Sequence, residues 1–328
     1  MPPALSALVD KHLGAAFLPR LKMHVFGLAE DFWHDGKENL LEVKIKRREP
    51  SSISGAALHN RDAAQAFQAA NTQVDPTHWH AEPGEVSEKM WGNGYVTPGG
   101  VVITGMLTKP LGLTKEMSVL DLSAGLGGRM RRTAEETGAY ITGLEPDPAV
   151  AARGMQLSVR AGKGKHAAIA HYDPATLSLS RTYDCIIARE TFYRVPDQRA
   201  FFAAIAKHTK AGGQIAFTDY IVDPEHRDHP AIAAWKGNEI LAKPMGLVEM
   251  AEAWAQVGFN LRVHEDLTDF YKTEVMLGMK KLMDFLGSGV QPDKETSLAV
   301  LRRVETWRHR LAAMEAGMKF YRFYGTKS

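Results

Sequence analysis

Between residues 119 and 219 the sequence alternates short apolar runs with helical patterns, and this alternation constrains the fold more than any other feature. Runs typical of buried strands are followed by stretches with apolar residues at helical spacing. The predicted strands cover residues 119–122, 140–144, 167–170, 183–188 and 213–219. The predicted helices cover residues 132–137, 148–160 and 198–208. Strands that alternate with helices form a mostly parallel sheet covered on both faces, so we expect a doubly wound α/β domain.

The loop after the first predicted strand is the strongest functional signal. Residues 120–128 read LDLSAGLGG. Gly125 and Gly127 permit positive φ and close approach of a ligand to the backbone. Ser123 and Ala124 lie in the same loop, and the start of the following helix offers unpaired N–H groups. Such a loop binds a nucleotide cofactor, and by its position alone it suits a dinucleotide pyrophosphate as well.

Acidic residues at the strand ends distinguish between these cofactors. Asp121 lies inside the loop, where a carboxylate would repel pyrophosphate but suits the α-amino or sulfonium side of S-adenosylmethionine. Glu145 lies 20 positions after Gly125, at the end of the second strand, where a carboxylate binds ribose hydroxyls. Asp173 follows the third strand and is a candidate for the adenine amino group. Together with the glycine loop, these three acidic residues favour a domain that binds S-adenosylmethionine over an α/β domain that binds no ligand.

Composition limits the remaining function classes. A net charge of +2 predicts no nucleic-acid partner. The single cysteine, Cys185, lies in an apolar run, so it predicts neither a disulfide nor a thiol-bound metal. His78 and His80 lack a third nearby ligand, and we expect no metal site. No apolar run reaches about 18 residues, so we expect no membrane span or signal peptide and a cytoplasmic protein that acts on a small molecule.

Several stretches resemble the class I methyltransferases and, more narrowly, the phosphoethanolamine N-methyltransferases. They are residues 91–100 (WGNGYVTPGG), 119–128, 183–190, 213–220 and 307–327. The resemblance implies a Rossmann-like methyltransferase sheet with helical N-terminal and C-terminal additions. It also implies N-methylation of a small polar amine, such as phosphoethanolamine, with S-adenosylmethionine as methyl donor.

The resemblance assigns roles to individual residues. Tyr95 would cap the active site as one member of a catalytic pair, and Thr97 would lie near the cofactor. Arg189, at the end of the fourth strand, would lie near cofactor and substrate. Tyr220 would line the substrate pocket, and Arg308 in the last helix would contact the substrate phosphate.

Two positions depart from the family pattern. Arg194 stands where the second member of the catalytic pair, a histidine, is expected, and Ile240 stands near the place of a phosphate-binding arginine. Arg194 is not a base at neutral pH but can pair with an anionic substrate group. Glu190 is a candidate for attracting a cationic amine, or alternatively forms an ion pair with Arg189 or Arg194. Tyr193 is a further candidate for binding the substrate.

These departures leave two other functions open. One is methylation, at O, N or C, of a lipid or other amphiphile, because the segment after Tyr220 is rich in Met, Phe and Trp. The other is an inactive methyltransferase-fold protein that only binds its ligand.

The chain is expected to divide near residue 90. Residues 1–90 would form a helical or mixed extension, a lid or a surface for homo-oligomerisation, with helices at 4–28 and 60–71. Residues 91–328 would form the class I methyltransferase domain, in which the helical segment 221–328 lines the substrate pocket. That segment is expected to contain helices at 248–257, 271–285 and 296–321 and an edge strand at 260–265. Residues 75–100 predict a long ordered loop.

Overall fold

A computed structural model describes residues 78–289 and 292–328. The helices expected at residues 4–28 and 60–71, and the role expected for residues 1–77, lie outside the described residues.

The described residues form one seven-stranded sheet, and the expected doubly wound α/β architecture is confirmed. Five strands are parallel, and the order across the sheet is β3-β2-β1-β4-β5-β7-β6, with β7 antiparallel to both of its neighbours. The strands are β1 (Ser118–Asp121), β2 (Tyr140–Glu145), β3 (Ala167–His171), β4 (Tyr183–Arg189), β5 (Thr209–Ile221), β6 (Phe259–Asp266) and β7 (Lys319–Lys327).

Helices connect the strands and extend the domain beyond the sheet. They are α1 (Glu85–Trp91), α2 (Gly100–Thr108), α3 (Gly128–Thr137), α4 (Pro148–Arg160), α5 (Gln198–Lys207), α6 (Pro230–Asn238), α7 (Leu247–Gln256), α8 (Thr268–Gly287) and α9 (Lys294–Glu315). Several begin at an acidic cap: the carboxylates of Asp147, Asp197 and Asp293 accept backbone N–H bonds at the starts of α4, α5 and α9. Such caps satisfy N–H groups that have no partner within the helix.

The sheet separates two apolar clusters. Along β4, Cys185 and Ile187 belong to one cluster, and Ile186 and Ala188 belong to the other. Successive side chains of a strand point to opposite faces, so each cluster covers one face of the sheet. No helix among residues 78–289 and 292–328 is long and apolar enough to cross a membrane.

The end of the chain differs from the sequence prediction. A helix was expected over residues 296–321, but α9 ends at Glu315 and β7 begins at Lys319. Gly317 lies between them with φ 104°, a conformation that favours glycine, and the side chain of His226 fills the space where a Cβ would stand. This glycine reverses the chain, so the aromatic residues after it form a strand between β5 and β6.

The prediction of a long loop at residues 75–100 is also wrong in part. It contains α1, and Trp91 of that helix packs against the backbone of α8 at Gly278, where a Cβ has no room. Met90 is fully buried. The residues just before Trp91 are thus packed into the same core as α8 and α9.

Candidate active site

A cavity of about 680 Å³ opens at the carboxyl ends of β1, β2 and β4. The strand order reverses direction between β1 and β4, and ligands of open α/β sheets bind at such a switch point. Ser123, Glu145 and Arg189 lie on one part of its wall, and helix α9 supplies another part. The cavity therefore lies between the predicted cofactor loop and the C-terminal helices.

Glu145 and the glycine loop are joined directly. The Glu145 carboxylate accepts the N–H of Gly125 at 2.8 Å and the N–H of Asp147 at 3.1 Å. Gly125 has φ 54°, and a Cβ there would lie 2.6 Å from a methyl group of Val96. Burial raises the pKa of Glu145. Since a carboxylate has about four acceptor positions, Glu145 keeps capacity for hydroxyl donors in the cavity.

Asp121 has a protein partner. Both of its oxygens bond to the Arg129 guanidinium, at 2.9 and 2.7 Å, and Oδ1 also accepts the N–H of Ser123. The pair is buried, and Asp121 does not line the cavity. The Ser123 hydroxyl does reach the wall and accepts the N–H of Arg189 at 2.8 Å. The carboxylate of Asp121 therefore stabilises the loop on the side that faces away from the cavity.

Three other predicted cofactor residues lie near the cavity without lining it. Asp173 is exposed and caps a short 3-10 turn through the N–H of Ala175 at 2.8 Å. Its neighbours Tyr172 and Pro174 line the wall instead. Ala124 is buried under the loop, and Gly127, with φ 77°, begins α3. Their contact with a cofactor stays a prediction.

Arg189 is a buried cation with unused donors. Its Nη2 donates to the carbonyl of Pro98 at 2.6 Å, while Nε and Nη1 have no hydrogen-bond partner among the described residues. Burial lowers the pKa of this guanidinium. Arg189 lines the cavity beside Thr97. An anionic group in the cavity would satisfy the two free donors.

Glu190 is held in an uncommon backbone conformation. Its φ is 53°, the left-handed region that non-glycine residues seldom adopt. Its carboxylate accepts the hydroxyl of Tyr271 at 2.6 Å and that of Tyr220 at 3.1 Å, and Nη1 of Arg310 at 3.0 Å. Burial raises the pKa of both tyrosines well above their ordinary value, so both stay protonated donors. Glu190 lines the cavity, whereas Tyr220 lies behind it.

Arg310 connects this group to a second carboxylate. Its Nε and Nη2 bond to Glu239 at 2.6 and 2.8 Å, and Nη2 also bonds to the hydroxyl of Tyr193. Burial alone would raise the pKa of Glu239, but Arg310 outweighs burial and lowers it to about 2. Tyr193 is fully buried and does not reach the cavity. Of the two ion pairs expected for Glu190, the one with Arg189 is present at 3.8 Å, whereas Arg310, at 3.0 Å, and not Arg194 is its second partner.

Arg308, the arginine expected at the substrate phosphate, points away from the cavity. It pairs with Glu305 on the outer side of α9. Positions two apart on a helix differ by about 200°, so Arg310 faces inward where Arg308 faces outward. Arg303 and Trp307 share the inward face with Arg310 and line the cavity.

Arg194 and Tyr95 occupy contrasting positions. Arg194 is exposed on the cavity wall, with its guanidinium 5.6 Å from the centre of the Tyr193 ring. Tyr95 is 4% exposed and does not line the cavity, and burial raises the pKa of its hydroxyl. The catalytic roles expected for both stay predictions.

Four residues of this site were not identified from the sequence: Tyr271, Glu239, Arg303 and Arg310. A signal was present for two of them, because Arg303, Trp307 and Arg310 follow the i, i+4, i+7 spacing of one helix face. The other two had no local signal.

Comparisons with known proteins agree with this geometry. Residues 104–264 match the model of a methyltransferase domain family. The chain is 24% identical over 240 residues to phosphoethanolamine N-methyltransferase 1 of Zea mays, an alignment that covers 70% of this chain and 45% of that protein. It is 30% identical over 171 residues to a sterol 24-C-methyltransferase of Neurospora crassa, over 50% of this chain and 45% of the relative. The chain spans less than half the length of these relatives.

A solved structure shares the fold. Phosphoethanolamine N-methyltransferase 2 of Haemonchus contortus, in complex with phosphomonomethylethanolamine and S-adenosylhomocysteine, superposes with a TM-score of 0.64 at 19% identity, over 80% of this chain and 60% of that one. Residues 104–264 of this chain are therefore identified as a methyltransferase domain, and the chain resembles the phosphoethanolamine N-methyltransferases.

Proposed function

We propose that this protein transfers a methyl group from S-adenosylmethionine to the nitrogen of a polar amine that also carries an anionic group, as phosphoethanolamine does. One observation carries the proposal: the carboxylate of Glu190 lines the same cavity as Arg194 and Arg303, two arginines that make no ion pair among the described residues. A carboxylate attracts an ammonium group, and an arginine binds an anion. The phosphoethanolamine N-methyltransferases among the relatives support this substrate class.

The residues on the sheet side of the cavity fit the cofactor. Glu145 has acceptor capacity for the ribose hydroxyls, and the free Nε and Nη1 of Arg189 suit the cofactor's carboxylate. Because Asp121 is occupied by Arg129, we assign the contact with the amino-acid part of the cofactor to the Ser123 and Arg189 side of the loop.

Bound S-adenosylmethionine supplies a methyl group on a sulfonium, which leaves as a neutral thioether when the nitrogen lone pair forms the new bond. The protein positions the nitrogen and keeps its lone pair available. Glu190 faces the cavity as a carboxylate and accepts the proton that the ammonium group must lose. Tyr220, Tyr271 and Arg310 hold its oxygens in place.

The first experiment measures S-adenosylhomocysteine binding by calorimetry to wild type and to Glu145→Ala. Losing the carboxylate should weaken binding by about 1.5–3 kcal/mol, the range for hydrogen bonds to charged groups. The control is Glu116→Ala, which removes a carboxylate that is 68% exposed and paired with Lys115 at 3.9 Å. Absence of binding by wild type would refute the proposal.

The second experiment is a panel of amines with and without phosphate, with methyl transfer as the readout. Turnover of phosphoethanolamine or a related amine supports the proposal. Cofactor binding with no turnover on the whole panel would instead support the inactive, ligand-binding alternative.

One observation favours amphiphilic substrates as a second candidate. Leu241 lines the cavity and is 54% exposed, and its neighbour Ile240 is 87% exposed. The sterol methyltransferase relative fits the same idea. Turnover of apolar alcohols or sterols in the absence of any amine would support this candidate and contradict the first.

A further inference from the structure

The inner arginine of α9 has no capacity left for a substrate anion. Arg310 makes five hydrogen bonds, to two oxygens of Glu239, one of Glu190 and the hydroxyls of Tyr193 and Tyr220. A guanidinium has five N–H donors. An anionic group that entered this cluster would have to displace a buried carboxylate.

Arg303 lies on the same face of α9, seven positions before Arg310. In contrast to Arg310, it keeps its hydrogen-bonding capacity. Seven positions are close to two full turns, which places Arg303 roughly 10 Å further along the helix axis. It lines the cavity, and among residues 78–289 and 292–328 no hydrogen bond or ion pair engages its guanidinium. Burial, Arg310 and Arg194 lower its pKa to about 10, so it is still a cation at neutral pH.

Arg194 is the second cation at this end of the cavity. It is exposed, no ion pair within the described part of the chain neutralises it, and it is near enough to influence Arg303. Glu190 follows β4 and Glu239 follows α6, and both carboxylates are bonded to Arg310. Among the described residues, Arg194 and Arg303 therefore carry two positive charges without an ion pair, with Glu145 and Glu239 acting on Arg194 only at longer range, and the inner end of the cavity carries Glu190.

The cavity that Arg194 and Arg303 line also has an apolar lining residue that is open to solvent. Leu241 lines it with about half of its surface exposed, and Ile240 beside it is almost fully exposed. A phosphate held at Arg194 and Arg303 would thus lie at the mouth, not at the closed end. A phosphate at the mouth can carry a second ester group, because that group points out of the cavity.

We propose that Arg194 and Arg303 bind the phosphate of an amine phosphodiester, with the amine inward at Glu190 and an apolar ester group leaving past Leu241 and Ile240. The inference rests on the proposed N-methyltransferase function and narrows its substrate. The matching substrate is a phosphodiester of ethanolamine with an apolar group on its far side. The phosphate contacts lie outside the tyrosine and Arg310 cluster.

The test compares kcat and KM for three amines: free ethanolamine, phosphoethanolamine and a water-soluble, short-chain lysophosphatidylethanolamine. Wild type should have the highest kcat/KM for the phosphodiester. Arg303→Gln should raise KM for both phosphate-bearing amines about 10- to 100-fold while kcat changes little. Leu241→Ser should lower the ratio of kcat/KM for the phosphodiester to that for phosphoethanolamine.

Arg308→Gln is the matched control, since it removes an arginine from the outer side of the same helix. Unchanged S-adenosylhomocysteine affinity shows that each variant is folded. A wild-type preference for phosphoethanolamine, or equal KM in Arg303→Gln and Arg308→Gln, would overturn the proposal.

A separate arm distinguishes failure of this inference from failure of the proposed function. If wild type methylates none of the three amines, calorimetry with glycerophosphoethanolamine is performed on the protein saturated with S-adenosylhomocysteine. Binding that Arg303→Gln abolishes supports the phosphate site although the reaction is not observed. Absence of binding by wild type overturns the site as well.

Discussion

The two halves of the cavity are built in different ways. On the cofactor side, contacts join neighbouring loops through backbone groups: Glu145 bonds to N–H groups of Gly125 and Asp147, and Ser123 to that of Arg189. On the substrate side, side chains bond to one another across four elements. Glu190 meets groups that are 30, 81 and 120 positions away in the sequence, on β5, α8 and α9.

The difference predicts how each half responds to substitution. Backbone geometry in the cofactor half depends on which positions lack a Cβ. The substrate half depends on charge balance, because Glu190 and Glu239 share the guanidinium of Arg310, and Arg189 also lies 3.8 Å from Glu190. Such groups are stable only while all partners are present.

The largest effect is expected from Arg310→Met. This change leaves two buried carboxylates without their shared cation, and removal of one partner from a buried ion pair costs about 3–5 kcal/mol. Urea unfolding at neutral pH measures the loss. The control is Arg308→Met, which removes a partly exposed pair with Glu305 and should cost less than about 1 kcal/mol. Equal losses in both variants would show that the inner network does not stabilise the fold.

The same contrast explains what the sequence could predict. The strand and helix pattern and the glycine loop with Glu145 are local signals, and the structure has them close to the expected positions. The roles of Tyr271 and Arg310 depend on the tertiary structure, which brings α8 and α9 to Glu190 at the end of β4. An error of two positions, Arg308 for Arg310, reverses the face of the helix. The strand β7 was missed because the aromatic residues after Gly317 fit a helical pattern as well.

The charge balance also predicts a pH dependence. Arg310 lowers the pKa of Glu239 to about 2, below its ordinary value of 4.5. Because the folded-state pKa is lowered, the ionised group stabilises the fold above about pH 4.5, and this stabilisation is lost as the pH falls toward 2. Its size is on the order of 3 kcal/mol. Relative to wild type, Glu239→Gln should therefore be less stable at pH 6, with a smaller difference at pH 3.

The measurement is the free energy of unfolding in urea at several pH values. The same measurement on Glu249→Gln is the comparison for a more exposed ion pair, since Glu249 is 46% exposed in its pair with Arg227. A difference between wild type and Glu239→Gln that stays constant from pH 6 to pH 3 would contradict the assignment.

Gly128→Ala tests the backbone dependence of the cofactor half. The N–H of Gly128 donates to the carbonyl oxygen of Gly94 at 3.0 Å. A Cβ at Gly128 would lie 2.7 Å from that same oxygen. Both neighbours are backbone, so the segment must shift, and we expect a loss of about 1–3 kcal/mol in stability with weaker S-adenosylhomocysteine binding. Gly237→Ala on α6 is the control, because nothing lies within 4 Å of its added Cβ. Unchanged cofactor affinity in Gly128→Ala would mean that the loop tolerates displacement.

The last comparison, between Tyr271→Phe and Tyr324→Phe, separates stability from catalysis. Tyr271→Phe removes one of three donors to the carboxylate of Glu190, a bond of 2.6 Å, and should cost about 1.5–3 kcal/mol, the range for hydrogen bonds to charged groups. Tyr324→Phe removes a bond of 2.7 Å to the amide oxygen of Gln214, far along the sheet, and should cost about 0.5–1.5 kcal/mol. If Tyr271 positions the carboxylate that accepts the amine proton, only its variant lowers kcat, by roughly 10-fold, while the affinity for S-adenosylhomocysteine stays unchanged. Equal kcat in the two variants would restrict Tyr271 to packing and leave Glu190 held by Tyr220 and Arg310 alone.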